Sequence, residues 1–276
     1  MPKYKETNTL MHISNVNLAF GPHLILDNIN LEIKDIVEPG KVRGQIRCIL
    51  GPSGVGKTLL FRIMAGLLEP DSGEVLIAAD GETLHPVKAG DVGVVGQHYP
   101  LFEHLSVLDN LILGGKTAGL SKAEAKDKSM ELLDRFGLAN WFNFWPKQLS
   151  GGQRQRIAIL QQVMVKRMFI IMDEPFSGLD PKALHKVIEL IRELAASHEF
   201  QTILFTTHDI SAGVQVADFV HILGREFNAA GEVVRPGHFL EHMNLIDQGI
   251  AWQSNIRELA SFQRLINTLE DKFDNI

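Results

Sequence analysis

The chain holds one cysteine, Cys48, so no disulfide can form within it. That residue sits in the apolar stretch Ile46–Leu50, where a small buried filler is expected. A basic excess is missing as well. The 27 Lys and Arg are outnumbered by 33 Asp and Glu, a formal net charge of -6, so the chain lacks the electrostatic footprint of a nucleic-acid binder. Nowhere do about 18 apolar residues run together, as a membrane-spanning helix requires. The opening MPKYKETNTLMH has no apolar core of a secretory signal. A cytoplasmic chain is expected, and any membrane role would need a separate membrane-embedded partner. No repeat or low-complexity segment is visible. The 276 residues, 45% hydrophobic and 22% charged, have the composition of a folded globular protein.

Alternation of apolar residues from Ile13 to Phe20 and from Leu24 to Ile33, about the turn signal Gly21-Pro22, predicts an antiparallel β region. The polar segment Lys34–Gln45, with Pro39-Gly40 and Gly44, reads as a loop before the short strand Ile46–Leu50. Leu59, Leu60, Ile63 and Met64 then have helical spacing, with Gly66 as a C-terminal cap. From Ser106 to about Asn140 two helical pieces are expected, joined through Gly114-Gly115 and Gly119. Phe169–Met172 and Thr202–Thr206 read as buried parallel strands. Ile256, Leu259, Phe262, Ile266, Leu269 and Phe273 predict an amphipathic C-terminal helix packed on the core.

Between the strand at Ile46–Leu50 and the next helix lies GPSGVGKT, which satisfies the phosphate-loop pattern G-x-x-x-x-G-K-[ST] in the strand–loop–helix context that the pattern needs. Glycines let the backbone wrap phosphates with its N–H groups inward, and the helix N-terminus adds partial positive charge. Gly51, Pro52, Ser53, Gly54, Val55, Gly56, Lys57, Thr58 and Leu59 are the candidate phosphate-binding segment. Lys57 is placed for the β- and γ-phosphates and the Thr58 hydroxyl for Mg²⁺. The strand Phe169–Met172 ends in two carboxylates. Asp173 suits the magnesium shell, and Glu174 suits a general base that orients and deprotonates the attacking water. Taken alone, the two could equally be a surface acidic pair.

LSGGQRQR, Leu149–Arg156, together with the phosphate loop and the acidic pair, resembles an ABC-type ATPase. A Ser-Gly-Gly before a helix is in any case a sensible anion site or helix cap. The resemblance implies that Ser150, Gly151 and Gly152 contact the γ-phosphate bound by an opposite subunit, so that two chains enclose two ATPs. Ser177-Gly178-Leu179-Asp180 resembles the loop through which the two sites communicate, with Asp180 as its key residue. Gln97 resembles the glutamine that senses Mg²⁺ and water. His208 resembles the histidine that contacts the γ-phosphate and positions Glu174, and Phe20 the aromatic residue that stacks on adenine. Gly96 departs from the family, where many relatives carry phenylalanine, and the loop Lys34–Gln45 is longer than usual.

The implied fold is α/β, a phosphate-loop NTPase core with an antiparallel β subdomain and an inserted α-helical signature subdomain. The ATPase domain covers 11–224, its helical subdomain about 100–165, and 225–276 is a short extension, too short for a large regulatory module. The resemblance further implies ATP and Mg²⁺ as cofactors and solute transport, with import favoured, through membrane-spanning partners. It implies a second ATPase subunit, with a homodimer favoured, an external solute-binding protein, and a peripheral place on the cytoplasmic face of the cell membrane. VGVVGQHYPLFEHLSVLDN is similar to importers of small polar solutes such as amino acids or nitrate- and sulfonate-like anions. The alternatives are an ABC-type ATPase that pulls on a cell-envelope partner, or one in a nucleic-acid process. The latter lacks the long coiled coil or second cassette it would need. His238-Phe239-Leu240-Glu241-His242 also fits H-x-x-E-H, whose histidines could share a helical face and bind zinc; Pro236-Gly237 just before it argues against that helix.

Overall fold

The computed structural model describes residues 4–38, 44–196, 202–253, 255–273 and 276. The early alternation becomes a long hairpin, β1 (Lys5–Phe20) and β2 (His23–Val37), which turns at Gly21 with φ +60°. The loop expected from Lys34 begins as strand instead. Lys5 and Glu6 extend the ladder to Val37 and Ile36, and the latter is buried. Tertiary pairing thus overrides a polar local sequence. Pro39-Gly40, at the centre of the expected loop, lies outside the described residues.

Next come β3 (Gln45–Leu50), α1 (Lys57–Met64), β4 (Ser72–Ile77), β5 (His85–Pro86) and β6 (Gly93–Val95). Gly66 caps α1 as expected: at φ +66° its N–H donates to Ile63 O, while Leu67 N–H reaches back to Arg62 O. The helical subdomain contains α2 (Val107–Thr117), α3 (Lys122–Arg135) and α4 (Gly151–Val165). α2 passes straight through Gly114 and Gly115 and ends before Gly119, at φ +86°. The glycine pair is there for packing: a Cβ on Gly114 would lie 2.7 Å from Gln161 O of α4.

The chain continues through β7 (Phe169–Asp173), α5 (Pro181–Ala196), β8 (Thr202–Thr207) and α6 (Ile210–Val216). β9 (Phe219–Phe227), β10 (Val233–Asn244) and α7 (Ala260–Phe273) follow. Ile256, expected in the last helix, sits in a separate 3₁₀ turn, and α7 buries Phe262, Leu265, Ile266 and Leu269 on the core. The boundary drawn between 224 and 225 falls inside β9, and β9 and β10 had given no alternation clear enough to predict.

Among the described residues the strands form one sheet ordered β5-β4-β1-β2-β10-β9-β3-β8-β7-β6. The β9-β3-β8-β7-β6 half is parallel, and its central strands β3, β8 and β7 are buried along their whole length. The β4-β1-β2 part is antiparallel. β10 joins the halves, pairing with β9 along its length and with β2 at the single pair Gly237–Leu26. This is the expected α/β fold, and the C-terminal ends of β3, β7 and β8 open on one edge, where such sheets place their ligands.

Candidate functional site

β3 ends at Leu50 and the chain turns through Gly51–Gly56 into α1. Gly54 and Gly56 take φ +80° and +112°, and a Cβ on Gly56 would lie 2.7 Å from Leu26 Cδ2. Only glycine meets both demands. Val55 anchors the loop in the core, whereas Ser53, Gly54 and Thr58 stay exposed. Gly51 N–H donates to Thr207 O at 3.1 Å, which ties the loop to β8.

Lys57 opens α1 and folds back over its own loop. Its Nζ donates to Gly51 O at 2.9 Å and Pro52 O at 3.1 Å, and lies 3.2 Å from Glu174 Oε1. Both side chains are buried, so each charge is held by the other. Asp173 ends β7, and its Oδ1 accepts from Thr206 Oγ1 at 2.6 Å. Glu174 follows at φ +49°, a region that costs a non-glycine residue about 1–3 kcal/mol. Its N–H donates to Thr206 O at 3.1 Å and lies 3.2 Å from Thr206 Oγ1, which holds the strained turn. The same turn aims the carboxylate back at the loop. Oε2 meets His208 Nδ1 at 2.9 Å, and His208 is itself half exposed at the end of β8.

A cavity of about 430 Å³ gathers Ser53, Gly54, Gly56, Lys57, Thr58, Leu59, Gln97 and Glu174, with Ile25 of β2. Gly51, Pro52 and Val55 form the loop behind it. Loop N–H groups, a buried ammonium and a base-bearing wall together suit a polyphosphate and an attacking water. Phe20 is 55% exposed at the β1–β2 turn and does not line the cavity.

Ser150, Gly151, Gly152 and Asp180 do not line it either. Ser150 caps α4, its Oγ accepting from Gln153 N–H at 3.3 Å while Gln153 Oε1 accepts from Ser150 N–H at 2.9 Å. Gly151 faces open space, but a Cβ on Gly152 would lie 2.8 Å from Ala183 Cβ of α5. Asp180 caps α5, accepting from Lys182 and Ala183 N–H at 2.9 and 3.0 Å. The signature and the Asp180 loop are therefore packed helix to helix.

Three residues of the site had no sequence signal. The Thr206 hydroxyl serves the Asp173 carboxylate and the Glu174 backbone N–H. Tyr99, buried just after Gln97, donates from its hydroxyl to Glu174 O at 3.4 Å, and burial, with Glu174 and Asp173 nearby, pushes its phenol up to about 12. Arg225 of β9 donates to Gly54 O. Gly96, the departure from the family, faces open space. The zinc reading of H-x-x-E-H fails because the segment is strand, not helix. In β10, His238 Nε2 pairs with Glu226 Oε1 at 2.9 Å and His242 Nδ1 with His221 Nδ1 at 2.8 Å. Among the described residues no three His, Cys, Asp or Glu side chains cluster to hold a metal, and no helix is long and apolar enough to cross a membrane.

The family model described as ABC transporter matches residues 35–177, just over half of the chain. The chain is 39% identical, over 78% of its length, to the sulfate/thiosulfate import ATP-binding protein CysA of Pectobacterium atrosepticum. It is 37% identical, over 81% of its length, to the Fe(3+) ions import ATP-binding protein FbpC of Agrobacterium fabrum. The chain spans 64% of the first relative and 59% of the second. Among solved structures, cbiO1 from Clostridium perfringens, part of the ABC transporter complex cbiONQ, aligns with a TM-score of 0.70 at 24% identity, covering 96% of this chain and 100% of that one. With the phosphate loop, the acidic pair and the signature in place on this fold, the chain belongs to the ABC transporter family as an ATP-binding member.

Proposed function

We propose that this chain hydrolyses ATP to drive a solute across a membrane, as import, through separate membrane-spanning partners on whose cytoplasmic face it sits. The observation that carries this reading is the Lys57–Glu174–His208 array, with Glu174 held in a strained turn at the edge of the phosphate-loop cavity. Lys57 is satisfied by its own loop and by Glu174. A bound triphosphate offers Lys57 better partners and frees the Glu174 carboxylate to accept a proton from water, with His208 holding its other oxygen. Thr58 and Gln97 line the cavity and Asp173 is a buried carboxylate, an oxygen donor set suited to Mg²⁺. Mg²⁺ held there would neutralise charge on the phosphate oxygens. Phe20, exposed at the hairpin turn, is the adenine platform.

Ser150, Gly151, Gly152 and Asp180 lie off this chain's own cavity, which supports their acting on nucleotide held by a second copy. ATP then favours the closed pair because the γ-phosphate gains contacts from both chains only when closed. Phe102, Phe144 and Trp145, exposed and gathered around the start of α2, form the apolar face for the membrane partner. The relatives named for sulfate, thiosulfate and Fe(3+) import favour a small polar or ionic solute delivered by an external binding protein. The test is to isolate the tagged chain from its native membranes in mild detergent and measure ATP turnover with and without what accompanies it. A multispanning partner that changes turnover supports transport. Partners confined to nucleic acid or ribosomes, with turnover responding to those, would overturn it.

A further inference from the structure

β2 and β10 form a single backbone pair, Leu26–Gly237, beside the Arg235–Asp27 ion pair, and no further ladder joins them among the described residues. The wedge between them is a cavity of about 450 Å³, lined also by Arg47 of β3 and by Phe219 and His221 of β9. It shares no lining residue with the phosphate cavity. Arg47 is 4% exposed, yet no carboxylate among the described residues lies within ion-pairing distance of it. Its Nε donates to Gln45 Oε1 at 2.8 Å, its plane lies 4.0 Å over the Phe219 ring, and its terminal NH1 reaches His221 Nε2 at 3.5 Å.

A buried guanidinium without an ion-paired carboxylate is costly, and Glu6 and Asp218 relieve it only in part, through space. Asp218 accepts from Ile46 N–H and Trp252 Nε1 at 2.8 and 2.6 Å. Glu32 is engaged by the Thr9 hydroxyl and by Lys34. Glu6 lines the wedge but acts on Arg47 only at a distance. Burial lowers the Arg47 pKa to about 10, the direction a bound anion would reverse.

The two histidines extend the donor set. Arginine cannot accept a hydrogen bond, so His221 Nε2 is the acceptor and its proton sits on Nδ1. That proton is donated to His242 Nδ1 at 2.8 Å, which leaves His242 protonated on Nε2. His242 lines the wedge, and among the described residues its only hydrogen bond is the one at Nδ1. We propose that the wedge is a binding site for a small oxoanion, a carboxylate or a tetrahedral anion, held by the Arg47 guanidinium and the Nε2–H of His242.

The experiment is a titration of the full chain, isotopically labelled at histidine, with sodium sulfate and separately with sodium succinate, following the imidazole resonances by NMR. His242→Gln and His221→Gln assign the two reporters, and His208 reports independently on the phosphate loop. The His221 and His242 signals are expected to shift saturably with at least one of the two anions, and not with sodium chloride at equal ionic strength. Which anion saturates them distinguishes a tetrahedral ligand from a carboxylate. Arg47→Gln should weaken that binding by about tenfold or more, as loss of a charged hydrogen-bond partner does. If Arg47→Gln does not fold, Arg47→Lys keeps the charge but loses the planar fork and should still weaken binding. No saturable shift of the two reporters with either anion would overturn the proposal. So would a shift confined to His208, or unchanged affinity in the folded Arg47 variant.

Discussion

The phosphate-loop edge and the signature edge differ in how far their polar side chains are already engaged with one another. At the first, Lys57 and His208 each bond to Glu174, and the contacts join three separate segments of the chain. At the second, Ser150 and Asp180 spend their oxygens on the N-termini of their own helices and line no part of the cavity. One half of the proposed apparatus is completed by folding. The other is only positioned by it, which is why a second chain is required in the proposed cycle.

The largest expected effect lies at the completed edge. Glu174→Gln should leave ATP bound while turnover falls about a hundred- to ten-thousand-fold, the range for removing a general base. Equal turnover in the variant would remove Glu174 from that role. Lys57→Ala should abolish nucleotide binding in the isolated chain, as followed by a fluorescent ATP analogue.

Ser150→Ala separates the two edges most directly. In the isolated chain it should leave nucleotide affinity unchanged and cost about 1 kcal/mol of stability through the lost cap. In the assembled pair it should lower turnover. If it reduced nucleotide binding by the isolated chain as Lys57→Ala does, the contrast between the edges would collapse.

Thr206→Val keeps the shape of β8 but removes the hydroxyl that serves Asp173 and Glu174. A loss of about 1–3 kcal/mol in urea unfolding is expected, with slower turnover than the stability loss explains. Tyr99→Phe should have the smallest effect, under about 1.5 kcal/mol, since its one bond to Glu174 O is long.

Much of the first edge was legible because its signals are local. The loop glycines, Lys57 and Thr58 are contiguous, and a strand ending in two carboxylates is readable at Asp173 and Glu174. His208 could be read only by its place at the end of a buried strand. Thr206, Tyr99 and Arg225 could not be read: each acts through a partner at least 30 residues away in sequence, and nothing in its neighbours announces it. The same holds for β2, whose polar end becomes strand because β1 lies beside it, and for Gly114-Gly115, which read as a break and proved to be a packing seam.

Sequence order alone thus indicated the family and the candidate phosphate-binding segment, because backbone wrapping of phosphate demands particular residues at fixed spacing. Tertiary structure decided what no spacing encodes. It turned H-x-x-E-H into a strand, placed His242 against His221, and opened a cavity between β2 and β10 over Arg47, which no carboxylate among the described residues ion-pairs. Those outcomes depend on which strands lie side by side, and that is set by burial of the whole sheet rather than by any one segment of it.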